Sequence, residues 1–248
     1  MKSVITIFAA LLSLLLSCAG VCNALTDDEV LKLQSSLKGL PTGERIALAA
    51  ESFVGTPYDP DPRGEYVTRK AIVADERVDC MYLVFRAVEL ALSSTPEEAV
   101  RIALDKRFRS KGVLAGGKVA NYDDRFEFGE DMIPSGKWGR EITGEIGMTV
   151  RINGSRGKGS LDMLTPRELV RGMRKLKSGD IVFFIKAPGR RQREEIVGHM
   201  GIIKTETGKV FLIHASGRKG KGGAVKKVSW RNYVRGMPFI GAMVARFP

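Results

Sequence analysis

The chain has 248 residues, of which 44% are hydrophobic and 27% charged. That mixture is too apolar for a disordered chain and long enough to bury a full core, so one globular domain with trimmings is expected. Lys and Arg number 40 against 28 Asp and Glu, a net charge of +12, which draws the surface to polyanions such as nucleic acid, anionic lipid or an acidic cell-wall polymer without choosing among them.

The sequence opens on MKSVITIFAALLSLLLSCAGVCNALTDDE. Lys2, an apolar run over 4–16 and small residues after it have the build of a secretory signal. The run is shorter than the ~20 residues of a spanning helix, so an exported protein of the periplasm or cell envelope is expected. Two maturations fit: LLSC at 15–18 resembles a lipoprotein signal that would put lipid on Cys18, and a cut after Ala24 would use Cys22 and Ala24 as its small residues. Residues 1–24 are read as this signal peptide, 25–42 as a helical extension and 43–248 as the main domain. The leader holds two of the three cysteines, so Cys80 remains alone and cannot form an internal disulfide. It is either an inert small hydrophobe or a reactive thiol.

After the leader, LTDDEVLKLQSSLKG predicts a short helix with Thr26 as N-cap and acids in its first turn. GERIALAAESFVGTPY predicts a second, closed by Gly55 and Pro57. DCMYLVFRAVELALSS predicts the strongest helix, capped by Asp79, with Met81, Val84, Phe85, Val88 and Leu92 on its core face. From about 106 to 167 the chain is rich in glycine and charge, with isolated aromatics, and reads as an insertion over the site. LTPRELVRGMRKL returns to helix, with Thr165 as cap, Pro166 first and Glu168 third. KSGDIVFFIKA, VGHMGIIKT and KVFLIHASG then read as antiparallel strands. The basic tract 217–227 reads as a solvated loop, and with no binding fold or interleaved aromatics beside it no nucleic-acid partner is expected.

The chain has two histidines, His199 and His214, both in these strands. If ETGK at 206–209 makes the tight turn, His214 lies opposite Gly201 and diagonal to His199, on one face and within ~7–8 Å. Cys80 would stand in the first turn of its helix, where unpaired amide protons and the helix dipole favour a thiolate. Each histidine alone is commonly a hydrogen-bonded structural imidazole. Together with Cys80 they could hold a zinc ion, although no C-x-x-C pair or helical histidine pair accompanies them. They could equally form nucleophile, base and orienter of thiolate chemistry.

GTPY before a loop, DC opening a helix, SGDIVFF as a strand, then GHMGII and LIHAS occur in the order of the NlpC-type papain-like cysteine peptidases, which cut peptidoglycan. The chain resembles that superfamily over 44–246. Within it the chain looks most like the N-acetylmuramoyl-L-alanine amidase-like family, which has an apolar residue after the cysteine, as Met81 is here. The resemblance implies an α+β, papain-like NlpC-type fold, with N-terminal helices packed on a small antiparallel sheet. It implies Cys80 as nucleophile, His199 as base and His214 as orienting residue, facing one another across a cleft between helix and sheet. Tyr58 would line the site and help the oxyanion hole, and Asp79 would cap the helix and touch substrate. Arg125 and, further on, Asp131 and Ile133 match a family segment. Arg125 would bind a substrate carboxylate or form an intradomain ion pair. Glu127, Met132 and Phe85 depart from the family pattern. Muropeptides are the implied partners, cleaved between N-acetylmuramic acid and L-alanine, by a monomer with neither metal nor cofactor. Membrane contact would come only through lipid on Cys18. A dipeptide-type endopeptidase on the same fold and a non-catalytic envelope-binding module remain alternatives.

Overall fold

The computed structural model describes residues 25–248; the expected signal peptide, with the lipidation expected at Cys18 and the cut expected after Ala24, lies outside the described residues. Four longer helices come first, with one turn of helix at Glu65–Thr68 between the second and third: α1 (Asp27–Leu37), α2 (Thr42–Glu51), α3 (Cys80–Leu92) and α4 (Pro96–Lys106). The cap predicted for α1 forms as a reciprocal box: the Glu29 N–H donates to Thr26 Oγ1 at 3.3 Å, and the Thr26 N–H donates to Glu29 Oε2 at 2.8 Å. Val30 and Leu37 of α1 enter the main core, and buried Gln34 donates to Ser93 Oγ at the end of α3, 2.7 Å away. Helix α4, capped by Thr95 with proline in its first turn, has no counterpart in the sequence reading.

The strands are β1 (Arg140–Glu141), β2 (Thr149–Asn153), β3 (Ser160–Leu164), β4 (Ile181–Ile185), β5 (Val197–Glu206), β6 (Lys209–Arg218), β7 (Gly222–Ser229) and β8 (Gly241–Arg246). They form one sheet in the order β2-β3-β8-β4-β5-β6-β7, with β1 on β8, antiparallel at every pairing. Eight strands correct the expectation of a small sheet. The extra ones escape a reading by pattern for physical reasons. β8 (GAMVAR) is buried and poor in β-branched residues, while β2 lies at the edge and is mostly exposed, and β3 beside it buries only its last two residues. Part of the 106–167 segment thus belongs to the sheet itself. Tract 217–227 is corrected likewise: β6 continues to Arg218 and β7 begins at Gly222, leaving a turn where a loop was expected.

Alternate residues of the sheet enter two cores. Ile181, Phe183, Ile185, Met200, Ile202 and Ile213 face α2 and α3. Val182, Phe184, Ile203 and Leu212 face α5 (Pro166–Arg171) and α6 (Trp230–Gly236). Cover on both faces explains why IVFFI is an uninterrupted apolar run, each such side chain contributing about 1.5–3 kcal/mol by its burial. Lys204 pairs with Glu44 at 3.1 Å and Lys227 with Glu51 at 2.6 Å, tying α2 to the sheet.

Candidate active site

Helix α3 begins where Asp79, in extended backbone, caps it: Oδ1 accepts the N–H of Met81 at 3.1 Å and of Tyr82 at 2.8 Å. Cys80 is therefore the first helical residue, partly exposed and free, and it packs against the core that includes Met200 of β5. Beyond Ile202 and Ile213 the strands β5 and β6 no longer pair, and the sulfur meets β5 at this opening. Burial pushes the Cys80 thiol up to about 12, and the Asp79 carboxylate adds to the rise; the Met200 N–H and the Lys219 ammonium oppose it. Desolvation thus outweighs the helix end, and the resting sulfur keeps its proton, where a pre-formed thiolate was expected.

The ETGK turn forms as predicted. Glu206 pairs with Lys209, and Thr207 (φ 45°) and Gly208 (φ 76°) are both left-handed, which matches the twist of a tight hairpin. Continuing the register from Ile202 opposite Ile213 brings His214 opposite Gly201. A Cβ on Gly201 would lie 2.9 Å from the Ile213 carbonyl oxygen and 3.2 Å from His214 Cβ, so glycine leaves room for the imidazole. His199 Nε2 and His214 Nδ1 are 2.9 Å apart, with their rings at 87°. The register slips between Phe184 and Ile185, opposite 197–199, a bulge of the kind that re-aims a side chain.

The imidazoles stand on the face that carries α6, while intervening Met200 points toward α3. This differs from a cleft between helix and sheet and follows from strand alternation. His199 stacks on Phe239 at 6.0 Å and on Phe184 at 5.9 Å, and the Tyr233 ring meets His214 edge-on at 4.8 Å. Burial holds the Tyr233 phenol above its ordinary value, and a charge on Cys80 would add to the rise. Desolvation lowers His199 to about 3, with His214 adding to the effect. It lowers His214 to about 4, with Lys226, its cross-strand partner, adding there. Thiol and both rings are neutral at pH 7.

Tyr58 is fixed from two sides: its N–H donates to Gly223 O at 2.8 Å on the β7 edge, and the Asp59 N–H donates to Val78 O at 3.1 Å, just before Cys80. The ring fills the space of a missing side chain, because a Cβ on Gly217 would lie 2.2 Å from Tyr58 Cγ. Burial first, then the charge a Cys80 thiolate would carry and the carboxylates of Asp79 and Asp59, raise the phenol, so it remains a donor. Asp79 Oδ2 pairs with Lys219 Nζ at 3.2 Å, and that ammonium lies 5.5 Å from the Tyr58 ring centre.

Arg125 is placed apart from the trio. It donates to Tyr122 O at 3.5 Å and lies 5.6 Å over that ring, with no ion pair among the described residues. Asp131 is held by Lys158 at 3.0 Å and Arg156 at 3.1 Å. Met132, Phe85 and Ile133 are buried core residues, and Glu127 pairs with Arg193 at 3.3 Å. Asp180 fixes the start of β4, accepting the Lys177 N–H at 2.8 Å and binding Arg246 through both oxygens. Sequence reasoning passed over Tyr233, Phe239, Lys219 and Glu130. Buried Glu130 accepts the N–H groups of Ile196 and Val197, both at 3.0 Å, and so sets the backbone entering His199. Its sequence signal is weak, since Asp131 beside it carries the same charge and stays partly exposed.

No family model and no curated protein matches the chain. Solved structures resemble it in fold. An N-acetylmuramoyl-L-alanine amidase from Bacteroides uniformis aligns with a TM-score of 0.63 at 20% identity, over 84% of this chain and 99% of its own. A Legionella pneumophila protein of the DUF1460 family aligns with a TM-score of 0.67 at 17% identity, over 90% of this chain and 94% of its own. At these identities the likeness establishes a shared architecture of helices and a large antiparallel sheet.

Proposed function

We propose that the protein is a peptidoglycan amidase of the NlpC-type papain-like class, which hydrolyses the amide between N-acetylmuramic acid and L-alanine through Cys80. The observation that carries this reading is the 2.9 Å pairing of His199 Nε2 with His214 Nδ1, on a strand whose next residue, Met200, belongs to the core on which Cys80 packs. The motif order and the fold likeness to a Bacteroides uniformis protein named as such an amidase support the bond chosen.

The mechanism requires one tautomer of this pair. His199 must donate Nε2–H to His214 Nδ1 if its own Nδ1 lone pair is to serve as base. As the sulfur attacks the amide carbonyl, the thiol proton passes to His199 Nδ1 and the C–S bond forms. The Cys80 N–H and the Tyr58 hydroxyl receive the oxyanion. The C–N bond then breaks, and the amine leaves with the proton from His199. Water, deprotonated by His199, attacks the thioester, and the C–S bond breaks to restore the thiol. His214, kept neutral, accepts from the imidazolium throughout. Two histidines hydrogen-bonded through these nitrogens are poorly disposed to share a metal with Cys80.

Mass spectrometry of products from disaccharide–peptide fragments tests the reading. Release of intact L-alanyl peptide by wild type and none by Cys80→Ala is expected. A cut inside the peptide would make it an endopeptidase, and full activity of Cys80→Ala would remove the nucleophile. Export is proposed on the leader alone, and intact mass of the mature protein distinguishes lipid on Cys18 from a free N-terminus at Leu25.

A further inference from the structure

We propose that a basic cleft beside the candidate nucleophile is the subsite for the free carboxylates of an acidic peptide. The inference rests on the amidase reading above and specifies its substrate. The cleft has a volume of about 860 Å³ and is lined by Lys186, Arg190, Arg191, Arg218 and Lys219, with no acidic residue in its lining. It abuts the site at three points. Phe239, one wall, stacks on His199 with the rings 5° from parallel. Gly198, another, directly precedes His199. Lys219 reaches from the cleft to the Asp79 carboxylate that caps the Cys80 helix.

Two of the five cations are balanced locally, Lys186 by Glu195 and Lys219 by Asp79. Three are left without a carboxylate among the described residues. Arg190 and Arg218 are exposed, and Arg191 donates to the Asn153 and Gly154 carbonyls while its Nε and Nη2, both enclosed, have no acceptor. An enclosed guanidinium with unused donors and two free neighbours is matched to carboxylates, which accept in a fork. In a muramoyl peptide the lactyl carboxyl is consumed in the scissile amide, so the remaining carboxylates belong to the peptide. The cleft therefore takes the leaving peptide and orients the sugar toward the opposite side of Cys80.

Two measurements test this. The first is calorimetric binding of an L-alanyl peptide with two or more free carboxylates to Cys80→Ala protein, beside the same peptide with its carboxylates amidated. Binding of the acidic form, weakened about fivefold by Arg190→Ala or Arg218→Ala, more by Arg218→Glu and by added salt, is the expected result. Equal binding of acid and amide, or indifference to all three substitutions, would overturn the cleft assignment. The second is hydrolysis of the matched muramoyl peptides: the variants should raise KM for the acidic substrate at unchanged kcat and leave the amidated one alone. If nothing is hydrolysed while binding behaves as stated, the amidase reading fails and the anion subsite stands.

Discussion

The two halves of helix α3 treat charge in opposite ways. Its first turn carries the Cys80 thiol, which burial pushes up to about 12, as burial holds the His199 and His214 imidazoles well below their ordinary value. Its middle carries Arg86 and Glu89, fully buried within a network of ion pairs. Asp75 binds Arg86 through both oxygens at 2.7 Å and accepts the Tyr82 hydroxyl at 2.7 Å, while Glu89 binds Arg107 at 2.6 and 2.7 Å. Buried charge survives where fixed partners compensate it. Where reaction must create charge, the groups are left uncharged and held by single hydrogen bonds, so that a proton has somewhere to go.

The sharpest break of the comparison is at the neutral end. His199→Asn removes both proton transfers and should lower single-turnover acylation by ~10²–10⁴-fold, with the melting temperature close to wild type. His214→Asn keeps a hydrogen-bonding group and should fall between wild type and His199→Asn. The double variant should match His199→Asn, because members of one relay are not additive. Independent, multiplicative losses would separate the two rings and with them the hydrogen bond on which the mechanism rests.

At the ionised end the loss should appear in stability. Glu89→Gln leaves Arg107 and Arg86 under-compensated in the core and should cost about 3–5 kcal/mol in denaturant unfolding. Activity per folded molecule should stay within about twofold, since distant sites act independently. A fall in kcat at full folding would show that the network also sets the nucleophile.

The contrast also tells what a sequence can carry. The imidazole pair was legible because a two-residue turn fixes the hairpin register, and register fixes the face. Cys80 was legible because Asp79 marks the helix start. The core face read from the sequence names only Met81, Val84, Phe85, Val88 and Leu92, yet residues 82–91, Arg86 and Glu89 among them, are buried all round. Periodicity records where apolar side chains fall and is blind to how many neighbours pack on a helix. Tyr233 and Phe239 reach His199 from about 34 and 40 residues away along the chain, across a chain reversal that no local pattern encodes.

Acid should expose the neutral end before the ionised one. Both histidines are held well below 6.5 by burial, so between pH 6.5 and about 4.5 the unfolded chain takes up protons that the folded chain refuses. Stability should therefore fall as pH falls, by about 1.4 kcal/mol per pH unit for each histidine. Denaturant midpoints of the His199→Asn/His214→Asn variant should lack this slope. The thiol gives the converse at high pH: raised by burial, Cys80 should react slowly with iodoacetamide at neutrality, the rate climbing as pH approaches 12. Rapid alkylation at pH 7 would mean a thiolate at rest.

The smallest expected effect lies one strand further out. Lys226 stands opposite His214, and after desolvation its charge is the second cause of the lowered imidazole. Were His214 protonated, its Nδ1 would no longer accept from His199 Nε2, and His199 would lose the tautomer that leaves Nδ1 free to act as base. The acid limb of kcat/KM should therefore follow His214, near 4, the higher of the two rings. Lys226→Met removes the repulsion and should move that limb upward by less than about one pH unit while leaving the plateau rate unchanged. Lys226 is exposed, so high salt should screen it and shift the wild-type limb in the same direction, with no further shift in Lys226→Met. A limb that moves with salt equally in both proteins would place its titrating group elsewhere.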